Sequence, residues 1–113
     1  MATPAVGSVV LVRFPFSDLS DSKRRPAVVL ANVGRGDFVL CQITSQAYGD
    51  ADALGLDDDH FSSGGLQRTS FARPGKLFTA HESLIVREIG VLTPEICRMI
   101  REVIETILRR GLP

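Results

Sequence analysis

The chain has 113 residues, of which 44% are apolar and 23% are charged, and its formal net charge is zero. This length fits one domain, residues 1–113, and the balanced charge argues against a protein that coats nucleic acid with a broad basic surface. No apolar run reaches the roughly 18 to 20 residues of a membrane span and Met1–Pro4 lacks signal-peptide features, so we expect a cytoplasmic protein.

Three strands are predicted in the first part of the chain. Ser8–Phe14 is apolar and β-branched, and a proline follows it. A polar loop, residues 16–25, then leads into a second apolar run, Pro26–Ala31. The glycines of residues 32–37 predict a hairpin turn, after which Phe38–Thr44 returns as the third strand. We expect the three strands to form an antiparallel meander.

The middle of the chain carries weaker patterns. Residues 45–67 are rich in Gly, Asp and Ser, which predicts a loop with short edge strands. Further strands are predicted at residues 69–72, 76–79 and 83–87, with Arg73–Lys76 as a tight basic turn between the first two. Short strands joined by short turns are typical of a compact barrel.

A C-terminal helix is predicted over residues 94–110. Thr93 suits the N-cap, Pro94 suits the first helical position, and Gly111 suits the residue after the end. A single apolar stripe with the helical period is expected to pack on the barrel, and it consists of Ile96, Met99, Ile100, Val103, Ile104, Ile107 and Leu108.

The cysteines and histidines do not form a recognisable catalytic or metal-binding pattern. Cys41 and Cys97 lie in apolar runs, which is typical of small buried side chains and not of a disulfide or ligand pair. His60 and His81 raise the possibility of two-imidazole acid–base catalysis, but nothing in the sequence brings them together, so we interpret both as solvated. Asp57–His60 lacks the spacing of a calcium loop or a zinc helix. We therefore expect no metal and no cofactor.

The zero net charge conceals an uneven distribution. Five aspartates fall within residues 50–59, a stretch without any base, which leaves an excess of basic residues elsewhere. Of the 13 basic residues 11 are arginines, whose planar guanidinium suits phosphate. This composition is compatible with chemistry on a phosphodiester without establishing it.

One combination of residues suits that chemistry. Pairing of the second and third strands brings Arg25 and Thr44 near the same end of the sheet. RNA can be cut by its own 2′-hydroxyl, so a catalyst must mainly neutralise the phosphate and help to move two protons, for which an arginine and a hydroxyl are suitable. The pattern alone leaves a second interpretation open, in which Arg25 is a surface charge and Thr44 a β-former.

At these residues the sequence resembles the MazF/PemK/Kid family of toxin endoribonucleases. An F-P-F strand end followed by a short loop and R-P-A-V-V-L is the most specific part of the resemblance. The matching segments, in order along nearly the whole chain, are Gly7–Phe16, Lys23–Leu30, Gln42–Ser45 and Arg73–Thr79.

The resemblance implies a fold, an activity and partners. It implies a small SH3-like barrel with a C-terminal helix, a homodimer, metal-independent cleavage of single-stranded RNA by 2′-hydroxyl attack, and inhibition by a separate antitoxin protein. Within it Arg25 is expected to stabilise the phosphate and assist proton transfer, Thr44 to hydrogen-bond a phosphate oxygen, and Ser45 to assist. Contacts to RNA are expected from Phe16, Asp18, Lys23, Arg24, Gln46, Arg73 and Lys76.

One departure from the family pattern keeps alternatives open. Some relatives carry an acid two positions after the arginine that Arg73 matches, where this chain has Gly75. An inactive relative that only binds RNA or an antitoxin is therefore one alternative. A second is a binding toxin of the CcdB type, which uses the same small barrel to poison DNA gyrase by protein contact.

Overall fold

The computed structural model describes residues 3–14, 23–47 and 49–112. Within these ranges the chain forms one antiparallel seven-stranded sheet and one C-terminal α-helix. The elements are β1 Ser8–Phe14, β2 Lys23–Gly34, β3 Asp37–Thr44, β4 Leu54–Leu56, β5 Phe61–Gly64, β6 Ser70–His81, β7 Ile85–Leu92 and α1 Pro94–Arg109. Two short 3-10 helices, Asp58–His60 and Glu82–Leu84, precede β5 and β7.

The strands are ordered β4-β6-β3-β2-β1-β7-β5 across the sheet. The sheet curves into a half-barrel, which confirms the predicted small SH3-like barrel followed by one helix. The meander of β1, β2 and β3 at its centre is confirmed as well, with Val9 opposite Val28 and Val28 opposite Cys41. None of the helices in the described ranges has the length and hydropathy that crossing a bilayer requires.

Both faces of the central strands are buried, which explains their continuous apolar runs. Val9 and Val28 belong to a cluster that packs under the N-terminal half of α1, together with Ile96 and Ile100. The neighbouring Val10 belongs to a second cluster on the opposite face. Because successive side chains of a strand point to opposite faces, an uninterrupted apolar segment supplies both clusters.

The hairpin between β2 and β3 turns at Arg35 and Gly36. Both residues have positive φ, at 58° and 78°, which is the conformation of the two central residues of a type I′ turn. The predicted turn is confirmed, and β2 is longer than expected because it continues to Gly34.

The prediction of a turn at Arg73–Lys76 is wrong, because these residues lie inside the continuous strand β6. Cys41 pairs with Leu77 and Ile43 with Ala72, so four residues of β6 bulge opposite one residue of β3. A bulge allows a proline, which lacks a backbone donor, to lie within a strand. The Cys41 thiol donates to the Arg73 carbonyl oxygen at 3.3 Å, and burial raises the pKa of this thiol to about 12.

The helix begins as predicted and ends one residue earlier. Thr93 Oγ1 accepts a hydrogen bond from Ile96 N at 3.5 Å, and Pro94 is the first helical residue. The prediction that the whole apolar stripe packs on the barrel is wrong, because Met99 is 42% exposed and Leu108 is 68% exposed. The stripe is wider than the surface that the sheet covers.

The strand β7 extends beyond its predicted range of residues 83–87. Ser83 belongs to the preceding 3-10 helix, and the strand continues through Gly90 to Leu92. Gly90 pairs with β1 on one side and with Gly64 of β5 on the other, so this glycine-containing segment is an interior part of the sheet.

Candidate nucleic-acid interface

An open groove of about 820 Å³ is lined by the start of β2, the end of β3 and the loop that joins β5 to β6. We call it the basic groove. Its apolar surface comes from Leu11, Pro26, Ile43, Leu66 and Ile89, and its remaining lining residues are Lys23, Arg24, Arg25, Thr44, Ser45, Gly65, Gln67, Arg68, Ser70 and Arg87.

Strand register determines the width of this surface. Leu11 of β1 lies opposite Pro26 of β2 on one side and opposite Arg87 of β7 on the other. Neighbouring strands are about 4.8 Å apart, so Arg87 lies roughly 10 Å across the sheet from Pro26. The groove is therefore a surface three strands wide and not a pit between two side chains.

The structure brings Arg25, Thr44 and Ser45 to the same groove, as the sequence predicts. Ala27 and Gln42 are the last pair of β2 and β3 at this end, and beyond them Arg25 of β2 and Thr44 of β3 both line the groove. Thr44 is 8% exposed, and its Oγ1 accepts a hydrogen bond from Gln46 N at 3.2 Å. The Thr44 hydroxyl proton therefore remains available to a ligand in the groove, and Ser45 beside it is exposed.

The groove lining carries five cations and no acid among the described residues. Each of the five is exposed and has no ion-pair partner within the described part of the chain, and they are Lys23, Arg24, Arg25, Arg68 and Arg87. Unpaired cations that share one concave surface produce a positive potential that attracts a polyanion. The zero net charge of the chain is thus compatible with a locally basic site.

Arg73 and Lys76 are not among the residues that line this groove. Arg73 Nε donates to Asp50 Oδ2 at 2.8 Å, and the two side chains are only 19% and 14% exposed. The hydrogen bond from Arg73 is the largest of the causes that lower the pKa of Asp50. Arg73 therefore anchors the segment after β3 to the bulge of β6, and its expected contact with RNA stays a prediction.

A second pair of charges anchors the same segment to the helix. Arg110, which follows α1, donates through both terminal nitrogens to Asp52, at 3.0 and 2.7 Å. This pairing lowers the pKa of Asp52. Two of the five clustered aspartates thus neutralise arginines away from the groove.

The wall opposite Arg25 is formed by residues 65–69, which we call the β5–β6 loop. Gly65 N donates to Ile89 O at 3.1 Å, and Ser70 Oγ donates to Arg68 O at 2.9 Å, so both ends of the loop are fixed. Gly64 has φ of +64°, and a Cβ there would lie 2.3 Å from Ile89 O. Only glycine allows this close approach of the loop to β7.

The histidines have local structural roles. His60 Nδ1 lies 3.1 Å from Asp57 N, as the acceptor of a capping box at the first 3-10 helix. His81 Nδ1 accepts from Ser83 N at 3.2 Å and so caps the second 3-10 helix. In the described ranges no three His, Cys, Asp or Glu side chains converge as a metal site would require.

The other predicted RNA contacts have different positions. Phe16 and Asp18 lie outside the described residues, and so does the neighbouring Asp21. Gln46 is exposed beside Thr44 but is not part of the groove lining. Neither Arg68 nor Arg87 is among the residues that the sequence predicts for the site. Both lie far from Arg25 along the chain, and only the folded sheet brings the three together, so no local pattern predicts their proximity.

Comparisons with known proteins identify the family and the fold. The model of the family of PemK-like, MazF-like toxins of type II toxin–antitoxin systems matches residues 5–108. The chain belongs to this toxin family. No curated protein sequence matches it. Its similarity to solved toxin structures is a similarity of fold, because the sequence identities are low.

Three solved structures illustrate the similarity. A mycobacterial endoribonuclease in complex with its cognate antitoxin is 17% identical over 100% of both chains, with a TM-score of 0.72. A MazE–MazF complex from Deinococcus radiodurans is 20% identical over 98% of this chain and 100% of that chain, with a TM-score of 0.77. The toxin MazF-mt6 of Mycobacterium tuberculosis is 18% identical over 89% and 95%, with a TM-score of 0.70.

Proposed function

We propose that this family member is a sequence-specific, metal-independent endoribonuclease that acts in the cytoplasm on single-stranded RNA such as mRNA. The observation that carries the proposal is the presence of Arg25 and Thr44 in one open groove with four further cations. A protein that binds only another protein has no need of a guanidinium and a hydroxyl together at the end of a cationic track. Two of the similar solved proteins are described as endoribonucleases.

The proposed reaction is an attack of the RNA on itself. The 2′-oxygen forms a bond to phosphorus, the bond from phosphorus to the 5′-oxygen breaks, and the products are a 2′,3′-cyclic phosphate and a free 5′-hydroxyl. The 2′-hydroxyl gives up one proton and the leaving 5′-oxygen gains one. No oxidant, reductant or second substrate is required.

In this proposal Arg25 and Thr44 act on the phosphate. The Arg25 guanidinium donates hydrogen bonds to the oxygens on which negative charge grows, and it assists transfer of a proton toward the 5′-oxygen. Thr44 donates its free hydroxyl proton to another phosphate oxygen, and Ser45 contributes a second hydroxyl at the rim. The largest benefit is electrostatic, because these donors are already in place before the reaction.

The rest of the groove suits a single strand. Lys23, Arg24, Arg68 and Arg87 are placed to contact successive phosphates, and the apolar residues between them offer surface for unstacked bases. A duplex keeps its bases stacked inside and could not use this apolar surface. The proposed substrate is therefore unpaired RNA.

The proposed partners are a second copy of the chain and an antitoxin. Met99 and Leu108 leave apolar surface exposed on α1, which a homodimer would bury. Solved relatives are complexes with a cognate antitoxin or with MazE. A separate antitoxin with an acidic, apolar segment would match the charge and the apolar surface of the basic groove. Light scattering of the purified chain, alone and with such a protein, measures both associations.

The proposal is tested by incubating the purified protein with single-stranded RNA in an excess of chelator. We expect cleavage to continue and each downstream product to carry a free 5′-hydroxyl, because the attack uses only the RNA and groove side chains. Thr44→Val, which keeps the shape of the side chain and removes its donor, is expected to slow cleavage. Loss of cleavage in chelator, or products with a 5′-phosphate, would show that the proposed chemistry is wrong.

A further inference from the structure

A second, smaller cavity of about 200 Å³ adjoins the basic groove. We call it the side cavity. Leu56, Phe61 and Leu66 form its apolar walls, and Asp58 and Arg68 are among its polar lining residues. A small, mainly polar depression that also contains one aromatic ring can hold a flat heterocyclic ligand that forms several hydrogen bonds.

The side cavity and the basic groove are continuous around the β5–β6 loop. Leu66, Gln67 and Arg68 border both of them. Asp58 Oδ1 lies 3.9 Å from the position of a Cβ on Gly65, and Gly65 lines the groove. A strand whose phosphate contacts Arg68 from the groove therefore has a base within reach of the side cavity.

Asp58 is the acceptor that this cavity offers to a ligand. Its neighbour Asp57 is already engaged, since it accepts from Asp59 N at 3.0 Å and lies beside His60. Asp58 is exposed, and its carboxylate has no hydrogen-bond or ion-pair partner among the residues described. A free carboxylate repels phosphate, so the ligand groups that it can bind are those that donate hydrogen bonds.

We propose that the side cavity is a subsite that selects guanine in single-stranded RNA. The two oxygens of Asp58 accept from N1–H and the 2-amino group, which are neighbouring donors that no other RNA base presents together. Arg68 has five N–H donors, so it can donate to O6 at the same edge as well as to the phosphate, and Phe61 contacts the ring. The inference rests on the proposed function, because it names the base that an RNA-cleaving groove reads beside the scissile phosphate.

Binding of blocked oligonucleotides tests the subsite separately from catalysis. The probes are heptamers of 2′-O-methyluridine with a central guanosine, inosine, adenosine or uridine analogue, also 2′-O-methylated. These sugars cannot attack the phosphate, so binding is measured without cleavage. Inosine differs from guanosine only by lacking the 2-amino group, which isolates one hydrogen bond to Asp58. We expect the guanosine heptamer to bind about tenfold more tightly than the inosine heptamer.

Asp58→Ala is compared with Asp59→Ala. The control removes the same charge from the next residue, whose side chain does not line the side cavity. Both variants should bind the uridine and adenosine heptamers somewhat more tightly, because an acid near a polyanion is lost. Only Asp58→Ala should abolish the difference in affinity between the guanosine and inosine heptamers. Unchanged binding of the uridine heptamer, allowing for the charge effect, shows that the variant is folded.

The outcomes separate the subsite from the proposed nuclease. Loss of the affinity difference between the guanosine and inosine heptamers in Asp58→Ala alone supports the subsite. If that loss is seen but the wild-type protein fails to cleave natural RNA, only the catalytic proposal is wrong. Equal affinity of the wild-type protein for guanosine and inosine heptamers overturns the subsite. Retention of the affinity difference in Asp58→Ala, or its loss in both variants, overturns it as well, whether or not RNA is cleaved.

Discussion

Replacing Gly64 with alanine tests whether the β5–β6 loop depends on its close approach to β7. An alanine at φ of +64° costs about 1–2 kcal/mol, because left-handed backbone crowds the Cβ. Its Cβ would also lie 2.3 Å from Ile89 O, and displacing backbone to relieve such overpacking costs about 1–3 kcal/mol. We therefore expect Gly64→Ala to lower the free energy of unfolding by about 2–5 kcal/mol.

Two further glycines provide matched controls for this prediction. Gly49 has φ of +70° with nothing within 4 Å, so Gly49→Ala isolates the backbone cost. Gly55 has no positive φ, and its nearest neighbour is Phe71 at 4.0 Å, so Gly55→Ala should change stability by less than about 1 kcal/mol. Urea denaturation measures all three variants. Equal destabilisation by Gly64→Ala and Gly49→Ala would refute the close-approach argument.

Three further predictions concern charge and thiol chemistry. The hydrogen bond from Arg110 lowers the pKa of Asp52. The ion pair therefore stabilises the folded protein above pH 3.8, the ordinary pKa of an aspartate, and this stabilisation is lost as the pH falls below that value. The melting temperature of Asp52→Asn should therefore fall less than that of the wild type between about pH 5 and about pH 3, and an equal fall would refute this. Burial raises the pKa of Cys41 to about 12 and raises that of the half-buried Cys97 less, so a thiol reagent should modify Cys97 first in the folded protein, and simultaneous modification would contradict the burial. Arg68→Ala should weaken RNA binding and lower its salt slope by about one, whereas Lys76→Ala should have a smaller effect; the reverse order would favour the resemblance over the groove geometry.

The elements that the sequence predicted best are those with strong local signals. Thr93 and Pro94 define the start of α1, and the glycines of residues 32–37 define the central hairpin, because caps and turns depend on a few neighbouring residues. The turn wrongly predicted at Arg73–Lys76 has a physical explanation. A proline followed by glycine usually interrupts a strand, but opposite β3 these residues form a bulge, which only the pairing of two distant segments creates.

The site was predictable only where the chain order already suggested proximity. Arg25 and Thr44 belong to neighbouring strands of one hairpin, so their approach follows from antiparallel pairing. Arg87 reaches the groove through β7, whose pairing with β1 depends on the closure of the sheet. Arg73 does not line the groove, because it is paired with Asp50 in a largely buried contact. Nothing in the local sequence predicts this pairing.

The central claim is that Arg25 acts on the scissile phosphate while its neighbours only bind RNA. The direct test is the single-turnover cleavage rate at saturating enzyme for the wild type, Arg25→Ala and Arg24→Ala, since both variants lose one cation from the same groove. Removing a donor that stabilises the reacting phosphate typically costs about 10²- to 10³-fold in rate, so we predict that loss for Arg25→Ala. For Arg24→Ala we predict weaker binding with a nearly unchanged rate at saturation. Equal rates for the two variants at saturation would contradict the account.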